Sequence, residues 1–290
     1  MKKTAGSFLS SARQEMATSR RPGSAGGRSV RLSRKAVGSA IIAMLCIGPA
    51  WGSISVIDAQ SSSQAPAADL ILEQVDRNAV AGNKVLVSEM TIHGRRDSRT
   101  IKSKSWIQAE DKSFTEYLEP PREKGIKMLK LRDQLWTYSP DADRAISISG
   151  HMLRQSVMGS DLSYEDMMED RKLREAYEAR VSGEEEVLDR RCWVLDLVSK
   201  GGDVAYQSRK IWVDKERFTV LKEERYAKSG RLLKTLEVKS VSRVEDRWVV
   251  TAAVFKDVLK QGEGTEFKVL SIEFDLPIPA ELFTKASLRK

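Results

Sequence analysis

The segment Val269–Leu276, VLSIEFDL, sets Leu270, Ile272, Phe274 and Leu276 on one side of an extended chain and Val269, Ser271, Glu273 and Asp275 on the other. A period of two with one apolar side predicts a strand whose inner face is buried. Turn-forming clusters recur upstream of it at Gln261–Gly264, Glu245-Asp246, Lys228-Ser229-Gly230, Asp214-Lys215-Glu216, Gly201-Gly202-Asp203 and Glu184–Glu186. They leave strands of about 10–13 residues, against a usual ~5–6. At ~3.3 Å per residue such strands run about 35–40 Å. Trp248–Phe255 (WVVTAAVF) and Trp193–Val198 are apolar on both sides, and Pro277 and Pro279 end the sheet, leaving Pro279–Ser287 for a terminal helical turn.

The same rhythm governs the first half of the body. Asp69 opens a helix carrying Leu70, Ile71, Val75 and Val80, stopped by Gly82-Asn83. A strand with Leu86, Met90 and Ile92 on one face follows, then Ile101–Ala109, Ser113–Leu118, Ile126–Leu131, Gln134–Tyr138 and Arg144–Ser149. Pro120-Pro121 marks a loop, because two prolines in a row lack ladder donors. The long excursion Gly150–Asp170, GHMLRQSVMGSDLSYEDMMED, separates the two sets of strands, with a short helix expected after Ser160 or Asp161. The resulting expectation is mainly β: a single curved antiparallel sheet of about eleven strands, an incomplete, half-open β-barrel with a helical lid over a hydrophobic cavity.

The chain has 290 residues, 49 Lys+Arg and 41 Asp+Glu. Nine of the basic residues and only two of the acidic ones fall in residues 1–59. The body from 60 to 290 is nearly neutral, with interspersed charges, so it has no basic footprint for a nucleic acid. Ala36–Trp51 follows the basic stretch as a short apolar core broken by Gly48-Pro49, the pattern of an export leader over 1–59. Residues 60–68 read as a linker and 69–290 as one domain in the periplasm, tethered to the inner membrane if the leader is retained. Without the leader Cys192 stands alone, a small buried hydrophobe.

Catalytic and metal patterns are missing from the sequence. His93 and His151 have no partner in a recognisable nucleophile arrangement, and neither a His-Glu-x-x-His nor a Cys-x-x-Cys pair occurs. No enzyme, metal or cofactor is therefore expected. Soft apolar residues stand out instead. Met90, Trp106, Tyr117, Met128, Leu131, Trp136 and Trp212 lie on strands, and Met152, Leu153, Met158, Met167 and Met168 lie in the excursion. One helix cannot cover the inner face of so large a sheet, and methionines repack cheaply around a variable guest. These twelve residues are the candidate ligand surface.

Leu118–Gly125 (LEPPREKG), Leu135–Pro140 (LWTYSP), Arg144, Ile148 and Met158–Asp166 (MGSDLSYED) together resemble the outer-membrane lipoprotein-sorting family, the LolA-like periplasmic carriers, over roughly residues 69–290. The resemblance implies a lidded half-barrel that binds lipid or lipoprotein acyl chains in transit to the outer membrane. An inner-membrane transporter and an outer-membrane acceptor would be its partners, and it would act as a monomer. A non-enzymatic accessory protein of an envelope lipid transporter is the alternative. An outer-membrane barrel is disfavoured, since Lys234, Glu237 and Lys239 put charge on both faces of one strand.

Overall fold

Thirteen strands form one sheet in the computed structural model, which describes residues 66–290 apart from 80, 81, 95, 96, 110, 170, 171 and 203. The expected leader lies outside the described residues, as does most of the linker. The described residues belong to one unit, Ser61–Lys290.

Helix α1 (Ala68–Ala79) comes first, followed by β1 (Lys84–His93), β2 (Ser98–Gln108), β3 (Lys112–Glu119), β4 (Lys127–Leu131), β5 (Gln134–Ser139) and β6 (Arg144–Ile148). The excursion holds two 3-10 turns (Gly150–Arg154 and Val157–Gly159), then α2 (Tyr164–Met168) and α3 (Leu173–Ala176). The second set is β7 (Tyr177–Val187), β8 (Arg190–Ser199), β9 (Ser208–Asp214), β10 (Val220–Tyr226), β11 (Leu232–Val244), β12 (Arg247–Asp257) and β13 (Gly264–Phe274). Two 3-10 turns, Ala280–Phe283 and Lys285–Arg289, close the chain.

Every strand pairs antiparallel with its sequence neighbour, except at the lid, and β13 returns to pair with β1. The strand order is therefore a ring broken once, between β6 and β7, which form the two edges of the sheet. The lid joins those same two edges. A barrel would require β6 to pair with β7. Here the strip stays open, and the lid spans the gap.

The sheet has thirteen strands where about eleven were expected. The β7–β8 turn also sits later than Glu184–Glu186. It is made by Leu188 and Asp189, both at positive φ (53° and 55°). That is the geometry of a two-residue hairpin turn normally written Asn-Gly, so the residue types gave no signal. The three glutamates belong instead to edge strand β7, where charge deters further pairing.

Cross-strand partners share a face, so the register separates the two sides. One row of direct partners runs Leu195, Ile211, Glu223, Leu236, Phe255, Thr265, Ile92, Arg99, from β8 to β2. This is the inner face. On it, Ile71, Leu72 and Val75 of α1 pack against Trp193, Leu195, Leu197, Ile211 and Val213. Each of these apolar side chains contributes roughly 1.5–3 kcal/mol by leaving water. Further along the same face, Met90, Ile101, Tyr117, Met128, Leu135 and Ile148 form a second cluster under the lid. The outer face carries Trp106, Phe114, Leu129 and Trp136, covered by Ile278, Phe283 and Leu288 of the C-terminal turns.

Candidate functional site: the inner face and its lid

The lid is short of regular structure because its polar residues are committed to the sheet. Ser163, rather than Ser160 or Asp161, caps α2, and a reciprocal box with Asp166 holds it in place. Asp161 instead accepts from Thr265 Oγ1 at 2.8 Å and from the Asp257 backbone N–H at 2.9 Å. Lys260 reaches back to Ser156 Oγ at 2.5 Å and to the Ser160 carbonyl. Arg99 donates to the Met158 carbonyl and lies 3.2 Å from Glu123.

The densest contact is ionic. Arg209, Arg225 and Lys234 are direct cross-strand partners in one row over β9, β10 and β11. Three like charges side by side are unfavourable on their own. Three carboxylates offset them: Glu223 from β10, and Asp166 and Glu169 from the lid. Arg225 sits 3.0 Å from both Asp166 and Glu223, Arg209 contacts Glu169 and lies 2.9 Å from Glu223, and Lys234 contacts Asp166. Tyr206 donates its hydroxyl to Asp166 at 2.5 Å, and Tyr177 accepts from Arg209 Nε at 2.9 Å.

The network is nearly dry: the Asp166 side chain is 2% exposed and that of Arg209 3%. Burial alone would raise the Asp166 pKa, but the charges of Lys234 and Arg225 reverse this and hold it at about 2. Burial pulls Arg209 down to about 10 against the attraction of Glu223. Burial also drives the Tyr206 hydroxyl upward, and the Asp166 charge adds to the shift. The cluster thus sets three basic side chains against three acidic ones, two of which the lid supplies.

Seven of the twelve candidate ligand residues meet beneath the lid. Met90, Tyr117 and Met128 form its floor, and Met152, Leu153, Met158 and Met168 fill the space from above. Tyr117 donates to the Met128 sulfur at 3.2 Å. Met158 holds a left-handed backbone, φ 52°, while its carbonyl takes the Arg99 contact.

The other five lie elsewhere. Trp106, Leu131 and Trp136 belong to the outer-face cluster, because their parity along β2, β4 and β5 is opposite to that of Met128 and Leu135. Trp212 has the parity opposite to Ile211; it packs with Cys192, Val194 and Leu221 and donates its indole N–H to Glu185 at 2.7 Å. Met167 is 38% exposed.

The surface under the lid is filled by the lid's own side chains. A separate apolar hollow of the inner face, a partly open cavity of about 300 Å³, lies under the end of α1 toward the Lys84 and Phe274 ends of β1 and β13 and is lined by no lid residue. Asn78 fixes the helix end over it, donating to the Arg217 and Phe218 carbonyls. A larger hollow of about 800 Å³ between α1 and α3 is lined by Asp69, Glu73, Arg174 and Lys200, among other charged groups. Its ion pairs make it a solvated groove with no wall for an apolar ligand. Among the described residues no group of three or more His, Cys, Asp or Glu is placed to hold a metal, and no helix is long and apolar enough to cross a membrane.

An open antiparallel strip with a helix and an edge-to-edge lid on its inner face is the LolA-like fold, and comparison with solved structures shows the same. A DUF1329 family protein from Desulfovibrio piger superposes with a TM-score of 0.70 at 23% identity, covering 76% of this chain and 97% of its own. A putative outer-membrane lipoprotein-sorting domain from Vibrio parahaemolyticus gives 0.67 at 24%, covering 77% and 98%. A LolA superfamily protein from Nitrosomonas europaea gives 0.64 at 24%, covering 77% and 100%. The chain belongs to the family whose model, described as that of an uncharacterized protein, matches residues 109–290. No curated protein matches the sequence.

Proposed function

We propose that this protein is a periplasmic, monomeric, non-enzymatic carrier of lipid or of lipoprotein acyl chains, which it receives on the inner face of the open sheet for sorting to the outer membrane. One observation carries the reading: an extended apolar face is covered in part by a lid of short turns held through ion pairs, and an apolar cavity stands open elsewhere on that face, under the end of α1. A structural core has no need of a polar latch. A surface that must be covered when empty and vacated when loaded does. Met152, Leu153, Met158 and Met168 act as stand-ins for cargo on Met90, Tyr117 and Met128. Each methylene of an entering chain contributes ~0.8 kcal/mol, so a few chains suffice for binding, and the latch keeps affinity low enough for release. The donor is an inner-membrane transporter and the acceptor an outer-membrane component. The fold shared with the Vibrio and Nitrosomonas proteins supports the reading.

The test is purification without detergent, followed by solvent extraction and lipid mass spectrometry, with titration of the emptied protein by a dansylated fatty acid. Acyl lipid near one equivalent, and saturable probe binding, are expected. A protein that carries no lipid and takes up no probe is not a carrier.

A further inference from the structure

The cavity under the end of α1 has apolar walls and two cations in its lining. Val220, Leu236, Val250 and Ile272 line its depth, and Lys84 and Arg247 stand in the same lining. Arg247 places Nη2 2.7 Å from Asp275 Oδ2 and sits 4.5 Å over the Phe274 ring, but its Nη1 is buried without an acceptor. The Lys84 ammonium reaches only the Ala79 carbonyl, at 3.4 Å, and no carboxylate among the described residues pairs with it. Two cations therefore line an apolar hollow with one carboxylate, Asp275, which pairs with Arg247 alone. A buried N–H without a partner is costly, and so is a desolvated ammonium beside a like charge. Burial, and then the Arg247 charge, pull the Lys84 pKa below its ordinary value. An anion placed between the two groups removes both penalties at once.

We infer that this cavity binds a single-chain anionic amphiphile of the fatty-acid class, its carboxylate on Arg247 Nη1 and Lys84 and its alkyl chain along Val220, Leu236, Val250 and Ile272. The inference rests on the carrier reading and narrows it to the chemistry of the cargo. A volume of about 300 Å³ is at the low end for ligand pockets and suits one chain rather than three. The charged rim separates this site from the neutral floor of Met90, Tyr117 and Met128 beneath the lid.

The test uses the full chain loaded with dansyl-undecanoate and displaced by dodecanoate or by dodecanol, which differ only in the head group. Dodecanoate should compete at least about tenfold better, the gain expected from one charge-assisted contact. Lys84→Gln and Arg247→Gln should each shrink that preference, and the double variant should abolish it. Val250→Trp should exclude both competitors by filling the cavity. Lys84→Gln is the variant free of folding cost, because Lys84 has no carboxylate to orphan. Equal competition by acid and alcohol would overturn the inference, as would full preference in Lys84→Gln. Probe uptake that ignores Lys84, Arg247 and Val250 leaves the carrier reading standing and removes this site. No uptake at all removes both.

Discussion

Replacing Asp166 by asparagine deletes one of the three carboxylates facing Arg209, Arg225 and Lys234, and leaves a net positive charge in a dry site. Two routes give the magnitude. The pKa of Asp166 falls from 3.8 to about 2 in the folded protein. At about 1.36 kcal/mol per pKa unit that corresponds to about 2.5 kcal/mol at neutral pH. Breaking a buried pair by removing one partner costs about 3–5 kcal/mol in general. Asparagine retains only one of the two oxygens, for Ser163 on one side or Tyr206 on the other, so the expected loss spans both figures, ~2.5–4 kcal/mol.

The sign with pH follows from the direction of the shift. A depressed folded pKa contributes stability that is complete above the unfolded value, 3.8, and is lost as pH falls through about 2. Urea denaturation at pH 7 should show a lower midpoint at constant slope for Asp166→Asn, and the gap to wild type should close between pH 4 and about 2. Adding Lys234→Met restores the charge balance, so the double variant should lose less than the sum of the two singles. An Asp166→Asn protein as stable as wild type at pH 7, or strictly additive losses, would refute the claim that the latch is a coupled buried network.

Three further outcomes follow from other parts of the sheet. Leu188→Asn with Asp189→Gly supplies the residues that a positive-φ pair prefers, and should raise stability by about 1 kcal/mol, read as a higher melting temperature. Gly264→Ala should destabilise by about 2 kcal/mol or more in the same assay, because at φ +103° its Cβ would stand 2.5 Å from the Phe255 carbonyl oxygen. Cys192 is fully buried, and burial, assisted by the Asp214 charge, pushes its thiol up to about 11. In a Cys46→Ser chain, a thiol reagent at pH 8 should therefore label Cys192 only in denaturant, and rapid labelling of that native chain would contradict the packing around it.

The sheet was legible in the sequence because its evidence is local and repeated. Alternation in Val269–Leu276 and the turn clusters between strands predict an antiparallel meander, and the Met-rich excursion marks its interruption. Parity was the weak point. Trp106 and Trp136 stand out by size, yet their alternation with Ile101, Tyr117 and Leu135 puts them on the outer face. The ionic latch was missed for a similar reason. Arg209 is in phase with Ile211 and Val213, and Arg225 with Glu223, so charged residues occupy inward positions. That phase was the available signal. The partners Asp166 and Glu169 were not deducible, since only the fold brings the excursion across β9 to β11. The Lys84–Arg247 rim joins residues far apart in sequence, and nothing local marks either of them.

The lid begins where one edge strand ends and finishes where the other begins. A strap fastened at both ends has no loose tip to swing aside. It can rise only by bowing, and the slack for bowing must come from the two borders it ties together. Chain continuity at both borders thus adds to the ion pairs that hold the strap over the methionines.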